Sequence, residues 1–194
     1  AFDEMVRDEP ESARAVQGDD GSAPDVAALL ESYFGLEDPR RLEPHARELG
    51  VSAQLAESFE IRGFIDRVER DGQGRLVPID LKNMKSGVPE RDIPEHGQLG
   101  VYQLLLRDGG LTATHDENGE PEEVGGAALV QLRVPASKGS ADPKVQFQEA
   151  LGDEQPTWVE VKLGEAAHTL RSETFVATVG PACRYCSYRS SCPA

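Results

Sequence analysis

Between Leu49 and Lys82 the chain alternates with the period of extended strands, and this stretch limits the fold more than any other. Val51, Ala53 and Leu55 alternate. Phe59 and Ile61 then lead into Gly63-Phe64-Ile65-Asp66-Arg67-Val68-Glu69, and Asp71-Gly72-Gln73-Gly74 interrupts before Leu76-Val77-Pro78-Ile79-Asp80-Leu81-Lys82. Side chains in a strand repeat every two residues, and a short glycine-bearing break between two such runs is a hairpin signal. The reading is an antiparallel meander of three strands, with Asp66 ending the middle one.

The remaining text supplies helices around this sheet. Val26, Leu29, Leu30, Tyr33 and Phe34 recur at helical spacing and Gly35 stops them, so a short helix is expected over 25–34. Asn83 to Pro94 is a polar loop. Glu95 to Arg107 follows as a helix with Leu99, Tyr102, Leu105 and Leu106 available for a core, and Gly109-Gly110 ends it. A buried strand is expected over Gly126–Val134, an edge strand over Lys144–Glu149, and a helix over Trp158–Ser172 with Gly164 as its weak point. Strands, helix, strand, helix is the order of an α/β fold with a central mixed β-sheet flanked by helices. At 194 residues with 38% hydrophobic content there is material for one ordinary core. The expected division is an acidic N-terminal segment over 1–48, a core over 49–180 and a cysteine-rich tail over 181–194.

Charge bears on what the chain can grip. The net charge of −15 argues against a broad basic surface for nucleic acid, so any phosphate contact must be local or shared with other domains. The excess is uneven. Residues 1–31 hold nine acidic residues against Arg7 and Arg14, as a solvated linker would, whereas residues 62–85 hold six basic and four acidic ones. No run of about 18 apolar residues and no signal-peptide pattern is present, so the expectation is a cytoplasmic chain without a membrane partner. There is no Gly-x4-Gly-Lys-Ser/Thr either, so an ATPase motor would have to lie elsewhere.

Asp80 and Lys82 stand at the end of a strand, and alternation puts both on one face with Leu81 on the other. Pairing around the Gly72 turn brings Asp66 toward Asp80. Two neighbouring carboxylates repel unless a cation lies between them, and Mg²⁺ or Mn²⁺ prefers such oxygen donors. An Asp-x-Lys by itself is equally a surface ion pair; joined to Gly-x-x-Asp one hairpin earlier it is a more specific pattern. Gln98 and Tyr102 share a helix face at i and i+4. A core tyrosine with a capped glutamine is the plainer account of that pair.

Gly63-Phe64-Ile65-Asp66-Arg67, Ile79-Asp80-Leu81-Lys82 and Gln98-Leu99-Gly100-Val101-Tyr102 resemble the successive motifs of the RecB-type branch of the PD-(D/E)XK nucleases, from about Leu55 onward. The resemblance implies that Asp66, Asp80 and the main-chain carbonyl of Leu81 bind the catalytic Mg²⁺ or Mn²⁺. It also implies that Lys82 is the catalytic lysine and that Gln98 and Tyr102 belong to the motif beside the active site. Ala128-Leu129-Val130-Gln131-Leu132-Arg133 and Pro143-Lys144-Val145-Gln146 resemble the C-terminal nuclease domain of AdnB-like subunits of bacterial helicase-nucleases. That likeness implies DNA end resection and recombinational repair, with DNA, helicase/ATPase domains of the same polypeptide and a second helicase-nuclease subunit as partners. A nuclease fold that only guides DNA or stabilises a complex is the alternative.

Cys183-x2-Cys186-x5-Cys192 gathers all three cysteines at the C-terminus, where they read as ligands rather than as a disulfide framework. The family likeness implies the last three ligands of a [4Fe-4S] cluster. Zinc with His168 or a water, or three free thiols, are the other readings. The fourth cysteine and the family's N-terminal metal-binding histidine have no counterpart here, which one cause, a chain starting inside the family domain, would explain. His96, just before the Gln98 motif, could approach DNA or metal, although a lone histidine at a helix start is more often a capping or surface residue, and Arg62 and Arg67 read as surface charges within reach of phosphate. After Lys82 the family usually has a small polar residue and a glycine, whereas this chain has Asn83-Met84-Lys85-Ser86-Gly87. The expectation is a rearranged loop near the metal.

Overall fold

The computed structural model describes residues 33, 35, 43–56, 59–108, 118–140, 142–173 and 176–192. The expected helix over 25–34 lies outside these apart from Tyr33, which is helical. Two compact units are present, residues 1–153 and residues 154–194. Among the described residues no helix is long and apolar enough to cross a membrane.

The first unit is built on five strands in the order β1 (Glu43–Ala56), β2 (Phe59–Arg70), β3 (Leu76–Lys82), β4 (Ala127–Pro135) and β5 (Pro143–Gln148). Neighbours pair antiparallel except β3 and β4, which are parallel. A parallel pair cannot be joined by a tight turn, and the crossover includes helix α1 (Gly97–Arg107). The sheet is therefore mixed, as its sequence implies. The β2–β3 turn forms where the Asp71 carboxylate accepts the amides of Gln73 and Arg75 at 2.9 and 3.0 Å. Gly74 there has φ +82 with open space around its missing Cβ. Gly74→Ala is expected to lower stability by about 1 kcal/mol through that backbone conformation alone. Urea unfolding would check this, and an unchanged midpoint would contradict it.

Each sheet face is apolar. On one face Leu76 packs with Tyr102, Leu105 and Leu106 of α1, and Ala127 and Leu129 pack with Leu99. On the other, Val77, Ile79, Ala128 and Val130 pack with Leu81 and Tyr33. Asp80 and Lys82 share the parity of Leu76 and so belong to the α1 face, while Leu81 enters the opposite core.

Two features of the first hairpin differ from expectation. β1 starts at Glu43, well before Val51, and β2 continues to Arg70, so Asp66 lies within its strand rather than at its end. Strict alternation also fails there. Ile65 and Val68 belong to one core cluster although they are three residues apart, and Ala46 and Leu49 do the same across the ladder. The switch centres on the cross-strand position of Glu48 and Asp66, where Glu48 takes φ +48. An extended residue cannot move a strand from one face to the other, and one left-handed residue can.

The second unit contains α2 (Trp158–Ser172). Thr157 caps it in a reciprocal box with Glu160, the Thr157 side chain accepting from the Glu160 amide at 3.4 Å and the Thr157 amide donating to the Glu160 carboxylate at 2.8 Å. Gly164 lies inside the helix without interrupting it. Two short 3-10 turns, Pro181–Tyr185 and Arg189–Ser191, carry the cysteines.

Candidate active site

The C-terminal end of β3 brings the charged residues together. Asp80 is 1% exposed. Burial pushes its carboxyl above the usual carboxylate range; the Lys82 hydrogen bond and charge oppose this, and the neighbouring Asp66 charge adds to it. The Lys82 ammonium lies 2.8 Å from Asp80 Oδ2 and donates to Oδ1 at 3.1 Å. With the donor directed at Oδ1, Oδ2 is left buried without a hydrogen-bond partner.

Counting on from the last β2–β3 pair, Arg67 with Ile79, Asp66 falls opposite Asp80. The ladder does not continue to that position. Instead Asp66 Oδ2 accepts the main-chain amide of Leu81 at 2.8 Å. One Asp66 oxygen thus holds the strand segment that carries Asp80 and Lys82.

A chain of hydrogen bonds fixes the lysine from the helix side. Lys82 Nζ donates to Gln98 Oε1 at 2.9 Å, Gln98 Nε2 donates to the Tyr102 hydroxyl at 2.7 Å, and that hydroxyl donates to the Phe64 carbonyl at 2.9 Å. The Phe64 carbonyl can only accept, which fixes the direction of the chain, and burial pushes the Tyr102 phenol above its usual range. The structure therefore gathers Asp66, Asp80, Lys82, Gln98 and Tyr102 around one strand end. Gln98 touches the lysine, and Tyr102 acts through Gln98. Arg62 pairs with Glu60, and Arg67 pairs with Glu69 beside the Tyr33 ring.

Sequence reasoning missed a seam of buried glutamines that holds the loop between β3 and α1. Gln131 of β4 donates to Gln146 of β5 and accepts from the Val88 amide at 2.8 Å, while Gln146 donates to the Val88 carbonyl at 3.1 Å. Gln148 donates to the carbonyls of Ile93, Pro94 and His96 at 2.8, 3.3 and 3.2 Å, and Gln103 of α1 donates to Gln148 at 2.9 Å. The available signal was parity: Gln131 continues the series Ala127, Leu129, and Gln146 and Gln148 repeat at period two. The Met84 departure is also resolved here. Met84 has no positive φ and is 48% exposed. Gly87 is the position under pressure, since a Cβ there would come within 3.3 Å of Gln131 Oε1.

His96 occupies the N-cap of α1, as a capping histidine would, but its side chain makes no capping hydrogen bond and its Nδ1 is buried without a partner. Burial, helped by the Lys82 charge, pushes the imidazole below its usual range despite Asp80.

Two acidic side chains and a lysine stand at one strand end of a mixed sheet, and the carboxylates are hard oxygen donors of the kind Mg²⁺ or Mn²⁺ takes. The buried Asp80 Oδ2, which has the Lys82 ammonium beside it but accepts no hydrogen bond, fits such an ion. Among the described residues no three His, Cys, Asp or Glu side chains lie close enough together to enclose one, so carbonyl and water oxygens would complete the set. Residues 1–193 match the family described as the PD-(D/E)XK nuclease superfamily, and the chain belongs to it. That match reaches further upstream than the motifs from Leu55. Among solved structures the chain is similar to the one titled "Crystal structure of SSO0001", at 19% identity and a TM-score of 0.49, covering 87% of this chain and 68% of that one. No curated protein matches the chain.

Proposed function

We propose that this chain is a divalent-metal-dependent deoxyribonuclease domain of the RecB-type branch, in which Asp66, Asp80 and the Leu81 carbonyl hold Mg²⁺ or Mn²⁺ and Lys82 is the catalytic lysine. The observation that carries this reading is the buried Asp80 carboxylate, paired with a lysine ammonium that Gln98 also holds and set beside Asp66. The ion would supply Lewis-acid charge at the scissile phosphate. Lys82 has three donors, of which Asp80 Oδ1 and Gln98 Oε1 take two, leaving one to orient the attacking water or meet developing charge. Gln98 and Tyr102 position that ammonium.

The wider setting proposed is an AdnB-like helicase-nuclease that resects DNA ends for recombinational repair, with the motor domains on the same polypeptide and a second subunit as partner. The acidic chain supports this, because a domain with net charge −15 relies on other domains to bring DNA to it. In the second unit Cys183, Cys186 and Cys192 line one cavity of about 600 Å³, and the Gly180 amide donates to Cys183 Sγ at 3.3 Å. The Cys183-x2-Cys186-x5-Cys192 spacing supports three thiolate ligands of a [4Fe-4S] cluster whose fourth comes from elsewhere, although the three do not stand close enough together in this structure to hold a metal.

The test is incubation of the purified chain with end-labelled single- and double-stranded DNA. Cleavage is expected with Mn²⁺ or Mg²⁺ and none with EDTA. Iron near four atoms per chain with visible charge-transfer absorption is expected from anaerobically prepared protein, judged against a four-iron cluster. Metal-independent cleavage, or none of either DNA form, would overturn the nuclease reading. Zinc in place of iron would overturn the cluster while leaving the nuclease intact.

A further inference from the structure

Gln148 is 2% exposed at the end of β5, and both ends of its amide are bonded. Its Nε2 donates to the carbonyls of Ile93, Pro94 and His96 at 2.8, 3.3 and 3.2 Å, and its Oε1 accepts from Gln103 Nε2 at 2.9 Å. The directions are forced. Carbonyls only accept, so the nitrogen must face them, and the Leu151 amide donates to Gln103 Oε1 at 3.0 Å, which turns Gln103 Nε2 toward Gln148 and the Glu149 carbonyl. A buried amide costs free energy unless its groups are met, and an apolar side chain would fill the same space without that demand. What the amide adds is a fixed path for the chain that enters α1.

That path leads straight into the site. The His96 carbonyl that Gln148 meets also accepts the Gly100 amide at 3.0 Å, the first hydrogen bond of the helix. The His96 side chain, at the N-cap, makes no capping hydrogen bond, so the start of α1 is held from outside, by Gln148 and by the packing of Ile93 with Leu99. Two residues on from His96, Gln98 Oε1 meets Lys82 Nζ at 2.9 Å. We propose, resting on the nuclease reading above, that Gln148 is a positioning residue for the reaction: it fixes the first turn of α1 and, through Gln98, the direction of the Lys82 ammonium. A shift of that turn by about 1 Å takes the Gln98 contact out of hydrogen-bond range, and misplacement on this scale costs about a hundredfold in rate.

Single-turnover cleavage with Mn²⁺ by the wild type, Gln148→Met, Gln98→Met and the double variant tests this. It is read beside ¹⁵N NMR of the lysine ammonium groups, in which the Lys82 signal is the one missing from Lys82→Met. Methionine keeps the length of glutamine and removes its amide. Gln148→Met is expected to slow cleavage at saturating DNA by about tenfold to a hundredfold with half-saturation unchanged, and Gln98→Met by at least as much. The double variant should be within about twofold of Gln98→Met, because both residues act through one lysine. In each variant the Lys82 ammonium should exchange its protons faster with water. Lower stability with the rate and the ammonium signal unchanged, or rate losses that multiply in the double variant, would reduce Gln148 to a structural residue and leave the nuclease reading standing. If Gln148→Met fails to fold, Gln103→Met, which releases the other end of the same amide, is expected to move both readouts in the same direction. A wild type that cuts neither DNA form overturns the nuclease reading, and the ammonium signal still decides whether Gln148 holds Lys82.

Discussion

Asp80→Asn is expected to abolish metal-dependent cleavage and, in the absence of divalent ions, to raise the melting temperature. The two effects have one origin. Asp80 is buried, and burial raises its carboxyl above the ordinary value despite Lys82. For an acid whose folded-state value is raised, the unfolded chain ionises first as pH increases. Stability therefore falls from the unfolded carboxylate range up to the folded one, and the cost is fully present above it. Asparagine keeps the shape and removes the charge. A gain of about 1 kcal/mol, or roughly 3 °C, is expected near neutral pH, shrinking as pH falls into the carboxylate range. Cleavage should drop at least about a thousandfold, equivalent to about 4 kcal/mol of transition-state stabilisation. Added Mn²⁺ should stabilise the wild type by about 2.7 kcal/mol at a hundredfold excess over its dissociation constant and leave the variant unmoved. Calorimetry with and without Mn²⁺, beside a cleavage assay, reads all of this. A variant that melts lower, or cuts within tenfold of wild type, would show that Asp80 is an ordinary structural ion pair.

The parts of the fold legible in the sequence are those where one local period decides the matter. The β2–β3 hairpin and α1 fall almost where alternation and helical spacing put them, because each has an apolar face to bury, whereas α2 covers the expected Trp158–Ser172 with only Val159 buried and the Thr157–Glu160 capping box at its start. β1 is different. Pro44, His45 and Arg47 carry no strand pattern, and they are extended because β2 offers this stretch a ladder, with Pro44 tolerated on the outer strand. The face switch at Glu48 and Asp66 is equally a property of two paired strands and of neither alone. In the site, Asp80 with Lys82 and Gln98 with Tyr102 were legible because each pair lies within one element at a fixed spacing. The link between the pairs, Lys82 to Gln98, spans 16 residues and exists only once α1 has packed on the sheet. The glutamine seam and the bare Nδ1 of His96 were hidden for another reason. Nothing in a sequence separates a glutamine that bonds to a loop carbonyl from one that bonds to water.

Lys82→Met is expected to slow cleavage by about 10² to 10⁴-fold and to destabilise the protein, opposite in sign to Asp80→Asn. The ammonium has two roles that one substitution removes together. It meets Asp80 Oδ2 and Oδ1 at 2.8 and 3.1 Å, so methionine leaves a buried carboxylate with no cation beside it. Loss of one partner of a fully buried pair costs about 3 to 5 kcal/mol; the Lys82 side chain is 28% exposed, so roughly 1 to 2 kcal/mol is expected here. Mn²⁺ should recover most of the stability, since its charge replaces the ammonium's next to Asp80, and little of the rate, since it cannot replace the donor aimed by Gln98. Lys82→Arg should restore stability better than activity, because a planar fork cannot reproduce a compact ammonium lying between Asp80 and Gln98. Combining Lys82→Met with Asp80→Asn should erase most of the methionine's stability cost, the non-additivity expected of two groups in contact. Denaturation midpoints and single-turnover rates of the four proteins measure these terms separately. A Lys82→Met protein as stable as wild type, or a double variant whose stability is simply additive, would mean that the lysine does not neutralise Asp80 and that the site is assembled differently.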